Sequence, residues 1–280
     1  MRTGIRRKFV SVVLLTTFAL MVTGVYAFAA IKLVPEGIQE DLRTALAKLE
    51  KECPEEHVFI EKMKNAGASY FQELAAPTER AQFYTDPEIQ RMMVGVYLVD
   101  MSYAMVFGKN KESLKAGEAI DALLTKLGYN DTKIVAQFKK AVKGLDSPNV
   151  KQVFKDLDKA IDTALPKMIN TQEGLHLSVD AAYGWLIEVM YLTTETVAQK
   201  NYDPKFLALL NEQKKSVKVI IDILNVFKED KELAAVVERN KRLPLLQDIS
   251  KKMKIPKKMG KEDVEAIRIM VAKARAEIVK

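Results

Sequence analysis

Asp100 is the residue whose placement most needs a chemical reason. In a helix through its neighbourhood, Val96, Tyr97, Tyr103 and Ala104 surround it, and Met93 and Phe107 lie one heptad away. A carboxylate on so apolar a face must be hydrogen-bonded, paired, protonated or turned into a cavity, because burying an unpaired charge is costly. Glu188 holds the analogous position in a second apolar stretch. It belongs to a stripe of Glu173, His176, Asp180, Gly184, Glu188, Tyr191 and Glu195, whose spacing of three and four places them on one helix face. That stripe is either the solvated side of its helix or the lining of a cavity facing the helix of Asp100. The second arrangement implies a small-molecule pocket built from Asp100, Tyr97, Tyr103, Trp185, Glu188 and Tyr191.

Within the stripe, Glu173 and His176 form a Glu-x-x-His pair, the spacing by which one helix offers two ligands to a metal, and Asp180 is the third candidate ligand. A di-iron bundle needs a second such pair. The other histidine, His57, has Pro54 three positions before it, so the pattern is incomplete. The metal set remains the alternative to a pocket, and no cofactor is expected. Gly174-x-His176 is similar to the start of the Gly-x-His-x-x-Glu motif of exported imelysin-like proteins. Here Val179 stands where the acid belongs, and Asp180 falls about 100° further round the helix. With two histidines and one cysteine, the sequence assembles no nucleophile elbow, phosphate-cradling glycine loop or zinc spacing, and enzymatic activity has no support in it.

The elements that must position these residues are helices. Apolar residues recur with a helical period throughout, and sustained strand alternation is missing, so the expected fold is all-α, an antiparallel multi-helix bundle. Asp86-Pro87 starts one helix, which runs to about Phe107 and stops at Gly108; another runs from about Lys111 to Gly128. Further helices are expected near 36–52, 55–65, 131–143, 149–170 with a kink at Pro166, 172–199, 205–228, 230–240 and 261–279. Met92 to Gly108 and Leu175 to Thr193 are apolar around most of their circumference and belong at the centre. They also resemble each other: Tyr97-Leu98-Val99-Asp100-Met101-Ser102-Tyr103 aligns with Trp185-Leu186-Ile187-Glu188-Val189-Met190-Tyr191. A duplication would give two pseudo-repeated halves, near 55–145 and 146–240.

Residues 1–29 read as a signal peptide. Arg2, Arg6, Arg7 and Lys8 precede an apolar run from Phe9 to about Val25, and Ala27-Phe28-Ala29 offers cleavage after Ala29. The alternative is a retained N-terminal anchor; either way the body is periplasmic, outside the cytoplasmic membrane. Residues 30–249 form the helical domain, and 250–280 a basic linker with an amphipathic helix. The net charge of +7 is unevenly spread: Ser250 to Lys280 holds ten basic and four acidic residues, and the body between is slightly acidic. A nucleic-acid groove is therefore not expected. The basic tail, with Lys251, Lys252, Lys254, Lys257, Lys258 and Lys261 before a seam of Val264, Ile267, Val271, Ala274 and Ile278, either docks on the bundle or contacts anionic lipid. Cys53, the single cysteine, allows no disulfide within the chain.

Asn65-Ala66-Gly67-Ala68-Ser69-Tyr70, Gly95 to Ala104 and Trp185-Leu186-Ile187-Glu188 together resemble an uncharacterised family of exported bacterial helical proteins that includes many lipoproteins. The resemblance covers about residues 60 to 250. It implies an envelope location and a compact helical fold, and it implies no reaction. The chain lacks the lipid-attachment cysteine of the lipoprotein members. The expected function is an exported binding or scaffold bundle whose partner is a small molecule or an envelope protein; the alternative is a metal-dependent enzyme using Glu173, His176 and Asp180.

Overall fold

The computed structural model describes residues 34–52, 56–129, 171–228, 242–253 and 259–280. These form nine α-helices: α1 Glu36–Glu52, α2 Glu56–Asn65, α3 Pro87–Val106, α4 Asn110–Lys126, α5 Gln172–Gln199, α6 Pro204–Glu212, α7 Lys214–Lys228, α8 Arg242–Lys252 and α9 Lys261–Ile278. Two short 3-10 turns, Gln72–Leu74 and Thr78–Gln82, interrupt the connection between α2 and α3. The described residues contain no strand, and the fold is an all-α bundle. The expected helices at 131–143, 149–170 and 230–240, with the Pro166 kink, lie outside the described residues.

The starts of the long helices follow from local chemistry. Asp86 Oδ1 accepts the backbone N–H of Glu88 at 2.7 Å and of Ile89 at 3.4 Å, and Pro87 takes the first helical position, where a missing N–H does no harm. Thr171 caps α5 by accepting the Gly174 N–H at 3.2 Å, and Asp203 caps α6 through Lys205 at 2.8 Å. Helix α3 ends where Gly108 takes φ +70°, a conformation that a side chain would strain, so that Lys109 N–H can reach the Ala104 carbonyl at 2.8 Å.

Helices α3 and α5 cross at the centre with their backbones in contact. An added Cβ at Gly95 would lie 2.0 Å from the Ala181 carbonyl oxygen, and one at Gly184 would lie 2.1 Å from that of Met92. The crossing can be this close because glycine faces backbone from both sides. Helix α5 carries several hydroxyls yet is buried almost all round, since Ser178, Thr193, Thr194 and Thr196 donate to carbonyls one turn back, at 2.6 to 2.9 Å. Around this pair, α4 and α2 pack on α3, α6 and α9 pack on α5, and α7 bridges α1 and α8. Lys126, in the last turn of α4, donates to the carbonyls of Ala81, Gln82 and Tyr84 and so fixes the second 3-10 turn against α4.

The structure departs from the expected elements in two places. The helix expected at 205–228 is broken at Gln213 into α6 and α7. Helix α8 runs through the expected boundary at residue 250, and α9 docks on the bundle with Val264, Ile267, Val271, Ala274 and Ile278 all buried. The apolar seam is thus occupied by protein. Of the basic cluster, Lys251 pairs with Asp248 at 2.9 Å and Lys261 lies over the Tyr202 ring, while Lys254, Lys257 and Lys258 fall outside the described residues. No helix among the described residues is long and apolar enough to cross a membrane.

Candidate functional site

The α3–α5 crossing brings Asp100 and Glu188 together. Both side chains are buried, at 3% and 0% exposure, and their carboxyl groups lie within hydrogen-bonding reach of each other. Asp100 Oδ2 accepts the Ala76 N–H at 2.9 Å, whereas Oδ1 has no donor. Glu188 is gripped from the other side by Arg275 of α9. Its Nε and Nη2 reach the two carboxylate oxygens at 2.6 and 2.9 Å, a bidentate pair, and Nη2 also donates to the Leu74 carbonyl at 2.7 Å. The Arg275 guanidinium stacks over the Tyr191 ring, 4.1 Å from its centroid.

The surroundings favour a proton on Asp100 over one on Glu188. Burial first, and the Glu188 carboxylate second, push Asp100 well above the usual carboxylate range. Burial raises Glu188 too, but Arg275 works against that rise. One proton between the two acids, residing on Asp100, makes the trio neutral and turns a carboxylate–carboxylate clash into a hydrogen bond.

Asp100 is one of three α3 side chains that hold the connection from α2. Tyr97 donates its hydroxyl to the Pro77 carbonyl at 2.8 Å, and Tyr103 accepts the Phe71 N–H at 2.9 Å and donates to the Ser69 carbonyl at 3.2 Å. Positions 97, 100 and 103 share one face, so residues 69 to 77 are laced along α3. Burial pushes the Tyr103 hydroxyl up to about 12, so it remains a donor at any ordinary pH. Tyr103→Phe would leave Phe71 N–H without its acceptor. The expected loss of unfolding free energy is about 1–2 kcal/mol in urea titration, and an unchanged midpoint would show the lacing to be idle.

Over its central part the stripe on α5 is not a solvated side, since Asp180 and Glu188 are fully buried. Each acid there is taken by arginine from another element. Asp180 receives Arg91 Nε of α3 at 2.7 Å and Arg242 Nη1 of α8 at 2.5 Å; Glu188 receives Arg275, and Glu195 receives Arg268 Nε of α9 at 2.9 Å. Arg242 is fully buried. It also pairs with Glu88, contacts Met92 Sδ at 3.3 Å and stacks over the Tyr183 ring at 4.9 Å. Two arginines and two acids therefore balance in that cluster. Gly184, between Asp180 and Glu188, is the contact point with α3.

The proposed metal set does not gather. Both Asp180 oxygens are committed to guanidinium groups, Glu173 is exposed at the start of α5, and His176 has its own interactions. Among the described residues, no group of three or more His, Cys, Asp and Glu side chains could hold a metal ion. Of the six proposed pocket residues, Asp100, Glu188 and Tyr191 converge on Arg275, and Tyr97 and Tyr103 bind backbone. Trp185 is buried beside Gly95 at the crossing and has interactions of its own.

Sequence reasoning missed the arginines. Arg91, Arg242, Arg268 and Arg275 lie on ordinary amphipathic stretches, and no local pattern distinguishes them from solvated basic residues. The one available signal was stoichiometric, since three acids on a buried helix face demand cations from somewhere. No family model, curated protein or solved structure matches the chain.

Proposed function

We propose that this chain is an exported scaffold protein of the bacterial envelope rather than an enzyme. The observation that carries the scaffold reading is the use to which the central polar residues are put. Asp100, Tyr97, Tyr103, Asp180, Glu188 and Tyr191 bind groups of the same chain, so the chemistry of the core is spent on holding elements together. Export is supported by Arg2 to Lys8, the apolar run that follows and the small residues at 27–29, and by the resemblance to exported helical proteins. The partner is then an envelope protein recognised by the outer faces of the bundle.

Fractionation of cells carrying the full chain, followed by native mass spectrometry of the purified protein, tests both parts. The protein is expected in the periplasm or on the outer face of the cytoplasmic membrane, with mass accounted for by polypeptide alone. Retention in the cytoplasm would overturn export. A stoichiometric metabolite or metal in the native mass would overturn the scaffold reading in favour of a ligand pocket or a metal site.

A further inference from the structure

The Asp100–Glu188–Arg275 trio joins three elements that are far apart in sequence, and two of its members are acids that touch. Seating α9 on the central pair brings one cation to two buried carboxyls. With both ionised, the site carries an uncompensated buried charge, and Asp100 Oδ1 is buried with no donor to relieve it. With one proton, the same geometry is neutral and fully hydrogen-bonded at that contact.

We propose that Asp100, Glu188 and Arg275 form a proton-dependent clasp for the C-terminal helix: a proton shared by the two carboxyls keeps α9 seated, and its loss releases α9. Release would uncover the apolar surface now covered by Val264, Ile267, Val271 and Ala274.

The groups around the trio leave the proton to the carboxyls. From α3 come Tyr97 and Tyr103, from α5 Tyr191, from α9 Arg275, and from the segment before α3 the Ala76 N–H, with Tyr70 and Tyr84 in the surrounding field. Burial holds Tyr70 and Tyr103 up to about 12, so neither exchanges a proton near neutrality. Glu112 of α4 acts on Tyr70, Glu73 on Tyr103 and Glu79 on Tyr97, and Lys64 of α2 is engaged with the Val106 carbonyl at 2.6 Å. Two other α9 contacts, Arg268 with Glu195 and Glu265 with Tyr202, pair opposite charges or a hydroxyl with an acid and do not need an extra proton.

The sign of the pH dependence follows from linkage. A carboxyl raised in the folded state binds its proton more tightly there than in the opened state. Its contribution is complete below the opened-state pKa, near 4, and is lost as pH rises through the folded value. The clasp therefore tightens in acid and loosens in base.

Hydrogen exchange of the full chain, read as the protection of α9 amides relative to α4 amides at each pH and corrected for intrinsic exchange, measures the clasp directly. Between pH 5 and 9 the ratio is expected to fall, by up to tenfold per pH unit below the folded value, and to level off above it. Asp100→Asn keeps an acceptor for Ala76 and supplies a permanent donor to Glu188, so its ratio should stay flat. Glu188→Gln gives Asp100 sole use of Arg275 and should also flatten the profile; Trp185, one turn from position 188, reports by fluorescence whether either variant is folded. A flat ratio in the wild-type chain, or an undiminished slope in either folded variant, overturns the proposal.

Discussion

Gly95→Ala is expected to remove about 3 kcal/mol of unfolding free energy or more, the upper end of what overpacking a core costs. The new Cβ would lie 2.0 Å from the Ala181 carbonyl oxygen and 2.7 Å from the Trp185 nitrogen, both backbone atoms inside a 28-residue helix. Neither can turn aside as a side-chain end would. Relief requires α3 and α5 to part by more than an ångström, since a carbon and a carbonyl oxygen rest at about 3.3–3.6 Å. That opening would strip close contacts from the surrounding core, where Met93, Val96, Leu186 and Ile187 are fully buried, and interiors have no slack to absorb it. Gly184→Ala meets the Met92 carbonyl at 2.1 Å and should cost a similar amount. Gly37→Ala, in α1 with nothing within 4 Å, is the control and should gain about 0.5–1 kcal/mol. Urea midpoints for the three variants make the comparison; a Gly95→Ala protein within 1 kcal/mol of wild type would mean that the helices do not touch as described.

Arg242→Met is expected to cost about 3–5 kcal/mol, the penalty for leaving buried acids without their cation. Arg242 supplies a guanidinium to Asp180 and Glu88 from a position with no solvent exposure, and methionine replaces its stem but not its charge. Adding Asp180→Asn should recover more than half of the loss, because the amide still accepts from Arg91 and no longer carries the stranded charge. A double-mutant cycle by chemical denaturation reads this directly, and additive losses would show that Arg242 and Asp180 are not coupled. The exposed pair of Lys62 and Glu212, at 2.5 Å, is a useful contrast. Lys62→Met should change stability by no more than about 0.5–1 kcal/mol, since water screens both partners.

The sequence-level signals that served well were local ones. Asp86-Pro87 and Gly108 bracket α3 as expected because capping and left-handed turns are decided by a few adjacent residues. Helix α5 could be read as central because 28 residues with so little charge must be surrounded by protein. The break at Gln213 was not legible. Gln213 keeps helical dihedrals at φ −69° and ψ −12°, and no proline or glycine marks the place. For the candidate site, the anomaly of Asp100 was visible but its resolution was not. The partners that answer it, Ala76, Glu188 and Arg275, lie 24, 88 and 175 positions away, and helical periodicity carries no information about such distances. The α5 stripe shows the same limit: its face was identified correctly, and its covering by arginines depends on where α8 and α9 dock.

The origin of those arginines also ties the neutrality of the core to distant parts of the chain. Arg275 closes on the Leu74 carbonyl across 201 positions and Arg242 on Glu88 across 154. Contact between α3 and α5 alone gives Asp180 only Arg91 and gives Glu188 no cation; Arg242 and Arg275 come from α8 and α9. Burying Glu188 at the crossing with its charge answered therefore requires α9, and completing the ion pairs of Asp180 requires α8. Completion of the core is a long-range step, and a chain shortened before Arg275 would leave Asp100 and Glu188 without their cation.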